Sequence, residues 1–92
     1  MYQAKSGFVH RKIAQVDVLI SIGDNVADFN GYITLNETGA FLWDHLQTPQ
    51  SPQALAQKLT EEFEVGYEQA LSDVQELLQS LVSRDMVQEV AQ

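Results

Sequence analysis

Apolar residues recur along this chain with two different periods, and the changeover falls near residue 36. Residues 8–14 (FVHRKIA) and 16–22 (VDVLISI) are rich in β-branched and aromatic side chains and read as strands. In the second, Val16, Val18, Ile20 and Ile22 alternate with Asp17, Leu19 and Ser21, which predicts that the β-branched face points at the core. Gly23-Asp24-Asn25 is a turn signal. Asn30-Gly31 between apolar residues reads either as a two-residue hairpin turn or as a bulge heading a third strand, residues 32–35 (YITL).

Beyond Leu35 the period becomes helical. Asn36 is placed to cap a first helix that runs to about Gln47, with Leu35 before the cap able to pack on Ala40. Gly39 falls inside its first turn, where glycine normally costs stability, so it predicts a close approach of the helix start to the sheet. Thr48-Pro49-Gln50 breaks this helix, and Ser51-Pro52 starts a second as cap plus first-turn proline. Leu55, Leu59 and Phe63 form its stripe. A third helix is marked by Tyr67, Ala70, Leu71, Val74, Leu77, Leu78, Leu81 and Val82, a wide apolar stripe over four turns. Met86, Val87 and Val90 form a short apolar tail that could make a minor strand.

Strands followed by helices put the chain in the α+β class. A three-stranded antiparallel sheet followed by three helices, the last one long, supplies the parts of a winged helix-turn-helix. The length of 92 residues implies one domain, spanning 1–92, that buries roughly 60–65% of its unfolded surface. With 45% hydrophobic and 20% charged residues, the composition is that of a folded globule.

Charge and chemistry narrow the function mainly by exclusion. The net charge is −8, and from Glu61 onward eight acids face a single base, Arg84. That half of the chain would repel phosphates, so a nucleic-acid surface is not expected. The chain has no cysteine, which removes disulfides and Cys-based metal sites. The two histidines, His10 and His45, lie in different elements, and Asp44 and His45 diverge by about 100° on one helix, so no dyad is expected. No phosphate-cradling glycine pattern or G-x-S-x-G context is present. No catalytic residue, metal or cofactor is therefore expected. Nothing at the N-terminus reads as a signal peptide and no stretch reaches a membrane span, so cytoplasmic residence is expected. Trp43 and Tyr67 read as core packing beside Leu42, Leu46 and Ala70. The wide stripe of the third helix leaves room for part of it to wall a groove beside a free sheet edge, which can pair with an extended peptide.

The residues FVHRKIA, then LNETGAFLWDHL, then SPQALAQKLTEEFEV and an acidic-apolar third helix together resemble the PqqD-like family. The most specific part is Leu35, Asn36, Thr38, Gly39, Ala40, Leu42 and Trp43, and the likeness runs from about Phe8 to Val87. The resemblance implies a recognition element for ribosomally made precursor peptides. Such an element captures the leader segment as an antiparallel strand and presents it to a modifying enzyme, often a radical S-adenosylmethionine protein.

Carried onto this chain, it implies that Gly31, Tyr32, Ile33, Thr34 and Leu35 pair with the leader. Val74, Leu77, Leu78 and Leu81 would wall the cleft, with Leu77 and Leu81 lining its pocket. Arg84 would meet an acidic leader residue. Asn36, Gly39, Leu42 and Trp43 would form the structural motif. The region GDNVADFNG lacks the P-E-G-like turn of members serving quinone-cofactor synthesis, which points to a different modified peptide. Asp85 stands where relatives often have glycine, which predicts a third helix that ends without a left-handed cap.

Two other classes compete. A DNA-binding winged helix needs a basic recognition helix, and residues 67–83 carry Glu68, Asp73 and Glu76 with no Lys or Arg. A protein-interaction or oligomerisation module, pairing its edge strand with itself as a homodimer or with an enzyme subunit, is compatible with peptide capture.

Overall fold

The computed structural model describes residues 1–22 and 32–91. The two readings of Asn30-Gly31, and Gly31 itself, lie outside those residues. Strand β1 (Tyr2–Ala4) opens the chain, followed by β2 (Phe8–Ile13), β3 (Val16–Ser21) and β4 (Tyr32–Leu35). Helices α1 (Glu37–His45), α2 (Pro52–Glu62) and α3 (Tyr67–Ser83) follow, and β5 (Val87–Glu89) closes the order. The predicted three-stranded antiparallel sheet forms in the order β2-β3-β4. A second, two-stranded sheet pairs β1 with β5, so the short N-terminal segment YQA supplies a strand that its pattern did not mark.

β2 and β3 are joined by Ala14 and Gln15, which both take positive φ, 50° and 68°. A two-residue hairpin needs that conformation at both central positions, because its twist then matches the strands. The register from Phe8↔Ser21 to Ile13↔Val16 follows from this turn.

The same register corrects the facing of β3. Phe8, Leu19, Ile33 and Leu35 share the helix-facing side of the sheet, and Leu19 is fully buried in the main core. The β-branched residues point the other way. Val18 is buried there, but Val16 and Ile22 are 44% and 49% exposed. β-Branched side chains suit a pleated strand on either face, so their alternation marks a strand without telling which side the helices cover.

Both predicted caps form. The Gly39 N–H donates to Asn36 Oδ1 at 2.7 Å, and the Ala54 N–H to Ser51 Oγ at 3.0 Å, ahead of the first-turn Pro52. Trp43 packs edge-on against Phe8 with ring centroids 6.2 Å apart, which pins α1 to the sheet. Helix α3 packs on α2 and buries Ala70, Val74, Leu78 and Leu81 in one core cluster with Leu19, Leu42 and Trp43, while Tyr67 and Val82 at the ends of its stripe are 41% and 42% exposed. Tyr67 is therefore not a core residue, because at the first position of α3 it projects past the packed layer.

The end of α3 differs from its prediction. Asp85 takes φ 62°; its N–H donates to the Val82 carbonyl at 3.0 Å, and the Met86 N–H donates to the Leu81 carbonyl at 2.9 Å. That bond pair is the Schellman motif, with an aspartate in the left-handed position usually held by glycine. Lys5 pairs with the Asp85 carboxylate, and Met86 behind it is fully buried, so the turn delivers the chain from α3 into β5.

Candidate functional site

β4 is where the sheet runs out. β3 is its one neighbour in the sheet among the described residues, with Asp17↔Leu35 and Ile20↔Tyr32 at the two ends of the register. Alternate backbone N–H and C=O groups of an edge strand point away from the sheet and remain available to a further strand. Tyr32 (65% exposed) and Thr34 stand on the outer face, while Ile33 and Leu35 pack toward the core. The strand is tied directly to the helix start, because Asn36 caps α1 immediately after Leu35.

Gly39 has a narrower role than sheet approach. A Cβ at this position would sit 2.9 Å from Asn36 Oδ1, closer than carbon and oxygen tolerate, and 3.6 Å from Leu35, an ordinary contact. The space it leaves is needed first by the cap and only then by the strand. Thr38 Oγ1 also donates to Asn36 Oδ1, at 3.2 Å.

A cleft of about 360 Å³ opens at this junction, between the first turns of α1 and one flank of α3. Asn36, Thr38, Gly39 and Leu42 line one wall; Asp73, Glu76, Leu77 and Ser80 line the other. Of the α3 residues expected to wall a groove, Leu77 is half-buried on the cleft. Val74, Leu78 and Leu81 are at most 3% exposed and belong to the core. They lie on the central line of the stripe, where α3 meets the other helices, and Leu77 lies on its shoulder. Leu81 thus has no surface with which to line the pocket in this conformation. Arg84 is exposed at the C-cap of α3, about one turn beyond Ser80 and outside the cleft wall.

One polar cluster beside the site has no counterpart in the sequence motifs. His10 Nε2 lies 2.8 Å from Asp17 Oδ1 and Nδ1 lies 2.9 Å from Asp44 Oδ1, so one imidazole links β2 to β3 and to α1. A neutral imidazole donates one hydrogen bond; bonding to two carboxylates calls for the doubly protonated ring. Burial is the largest single influence on His10 and acts to lower its pKa, but the bonds to Asp17 and Asp44 together raise it above the ordinary 6.5. Asp17 is held below its ordinary range, chiefly by the His10 hydrogen bond. The signal was available in the alternation of β2, which puts His10 on the same face as Phe8. The register that brings Asp17 to it was not.

Residues 18–87 match the family described as Coenzyme PQQ synthesis protein D (PqqD). The chain belongs to the PqqD family. No curated protein matches it. The fold is shared by the solved structure titled "TbiB1 in Complex with the TbiA(beta) Leader Peptide", with a TM-score of 0.75, 18% identity, and 98% and 99% of the two chains covered. It is similar also to "Lasso peptide synthetase B1 complexed with the leader peptide", with a TM-score of 0.74, 27% identity, and coverage of 96% and 98%. Among the described residues of this PqqD-family chain, no group of three or more His, Asp or Glu side chains is placed to hold a metal ion. No helix among them is long and apolar enough to cross a membrane.

Proposed function

We propose that this protein is a non-catalytic binding module that captures the leader segment of a ribosomally made precursor peptide and presents it to a modifying enzyme. The leader adds as a strand to the outer edge of β4, opposite β3, pairing with the backbone around Tyr32, Ile33 and Thr34. Its inward side chains enter the cleft at Leu77. Main-chain hydrogen bonds would supply affinity, and the cleft would supply selectivity. The observation that carries this reading is the outer edge of β4, which pairs with no further strand among the described residues and ends next to Asn36 on the wall of an open cleft, in a fold shared with two proteins solved with leader peptides. Val74, Leu78 and Leu81 support the site from beneath by fixing α3, and Arg84 is left to contacts outside the cleft. The modifying enzyme, a radical S-adenosylmethionine protein in the reading the family resemblance suggests, would dock on the complex. Self-pairing of β4 as a homodimer is the competing use of the same edge.

Titration of the chain with leader peptides encoded beside its gene tests this. Binding at micromolar affinity or tighter is expected. Alternate amides of β4, exchanging freely in the unbound chain, should become protected from hydrogen exchange when peptide is added. Binding with no protection in β4 would place the peptide elsewhere, and concentration-dependent protection without peptide would indicate self-pairing.

A further inference from the structure

The charge of the cleft restricts what can lie in it. Its α3 wall runs from Asp73 to Ser80, about 10 Å along the helix, so the cleft follows the helix axis. Asp73 and Leu77 are one turn apart on the same flank, and Glu76 stands beside Leu77. Asp73 accepts a hydrogen bond from Gln69 Nε2 at 2.8 Å, a neutral donor that leaves its charge in place. Neither carboxylate takes part in an ion pair among the described residues, and α3 contains no Lys or Arg. The facing wall from α1 (Asn36, Thr38, Gly39, Leu42) carries no charge. Among the described residues, the charged side chains lining the cleft are therefore both negative, within a chain whose net charge is −8. An acidic segment would be repelled on approach and a basic one drawn in.

We propose that the leader segment held here carries a Lys or Arg two positions from an aliphatic residue. The aliphatic side chain packs on Leu77, and the cation reaches Asp73 and Glu76. The spacing follows from geometry. Residues i and i+2 of a strand face the same way about 6.7 Å apart, and Asp73 to Leu77 spans about 6 Å of helix. Asp73 and Glu76 are thus specificity-determining residues that select by charge, while the β4 backbone accepts any extended chain. This rests on the leader-binding reading and adds the chemistry of the segment that fills the site.

A display library of random 12-residue peptides, sorted separately on the full-length wild-type chain and on D73N/E76Q, tests it. The wild-type pool should be enriched in Lys or Arg two positions from Leu, Ile or Val. The D73N/E76Q pool should keep the aliphatic preference and lose the basic one. A synthetic peptide from the wild-type pool should bind D73N/E76Q roughly three- to tenfold more weakly at 50 mM NaCl. That gap should close at 0.5 M NaCl, where exposed charges are screened. An enriched pool without a basic bias, or with an acidic one, overturns the charge selection and leaves strand addition standing. Failure of the wild-type chain to enrich any peptide overturns both. Both positions are exposed, and matching thermal melts establish that the variant is folded.

Discussion

Asp85 occupies a backbone position that L-residues avoid, and its side chain is why the cost is tolerable. The left-handed conformation costs an ordinary L-residue about 1–2 kcal/mol, less for Asp or Asn. Here a carboxylate also sits at the negative end of the α3 dipole, offset by its pair with Lys5. Asp85→Gly removes the strain and the unfavourable dipole interaction while losing one exposed ion pair. It should stabilise the fold by about 0.5–1 kcal/mol, a rise in Tm of about 4 °C for a chain this small. Asp85→Ala should act in the opposite direction, losing the pair and keeping the strain, and thermal melts of the two variants check the sign. The αL conformation was not legible from the sequence, because nothing near Asp85 demands it locally. It is required by Met86, which must turn into the core three residues after the last helical residue, Ser83. Gly39 is the opposite case. Its position inside a helix start was visible at once, and the capping oxygen 2.9 Å from its missing Cβ supplies the reason.

At the scale of elements, the His10 link joins two strands to the helix that shapes the cleft. Its pH dependence has a definite sign. The folded-state pKa of His10 lies above 6.5, so its contribution is fully present below 6.5 and is lost as pH rises through the raised value. Asp17 is lowered from 3.8, so its contribution is present above 3.8 and is lost as pH falls through the lowered value. Stability should therefore be greatest between these limits. The urea midpoint should fall as pH rises from 6 to 8, and His10→Gln should flatten that decline. An unchanged slope in the variant would mean that His10 does not carry it. On losing its proton the ring should keep Asp17 and release Asp44, since the Asp17 side chain is 13% exposed and Asp44 is 61% exposed and readily rehydrated. The helices α2 and α3 were legible because their start signals and 3.6-residue stripes are local. The inward face of β3 was not, because the face rich in β-branched residues turned out to be the one the helices leave uncovered.

For the whole molecule, acidity and topology act together. A winged helix with −8 net charge and no base along α3 offers phosphates no basic helix face on which to displace counterions. No gel shift with duplex DNA is expected even at 50 mM salt. A salt-dependent shift would return the DNA-binding reading to contention. Closure of the chain comes from the ends. β1 pairs with β5, the Ala4 N–H donates to the Leu46 carbonyl at 2.8 Å, and Tyr2 and Gln50 exchange backbone hydrogen bonds. This second sheet packs behind α3, on the side away from the cleft, and holds the helix against the core. The element order, the class, the capped helix starts and the family motif were set by the sequence itself, because capping, turn chemistry and hydrophobic period act over a few residues. Which sheet face meets the helices, which leucine of α3 reaches the cleft, and the meeting of His10 with two aspartates were decided only in the tertiary structure. Each depends on strand register and helix rotation, which no short stretch of this chain specifies alone.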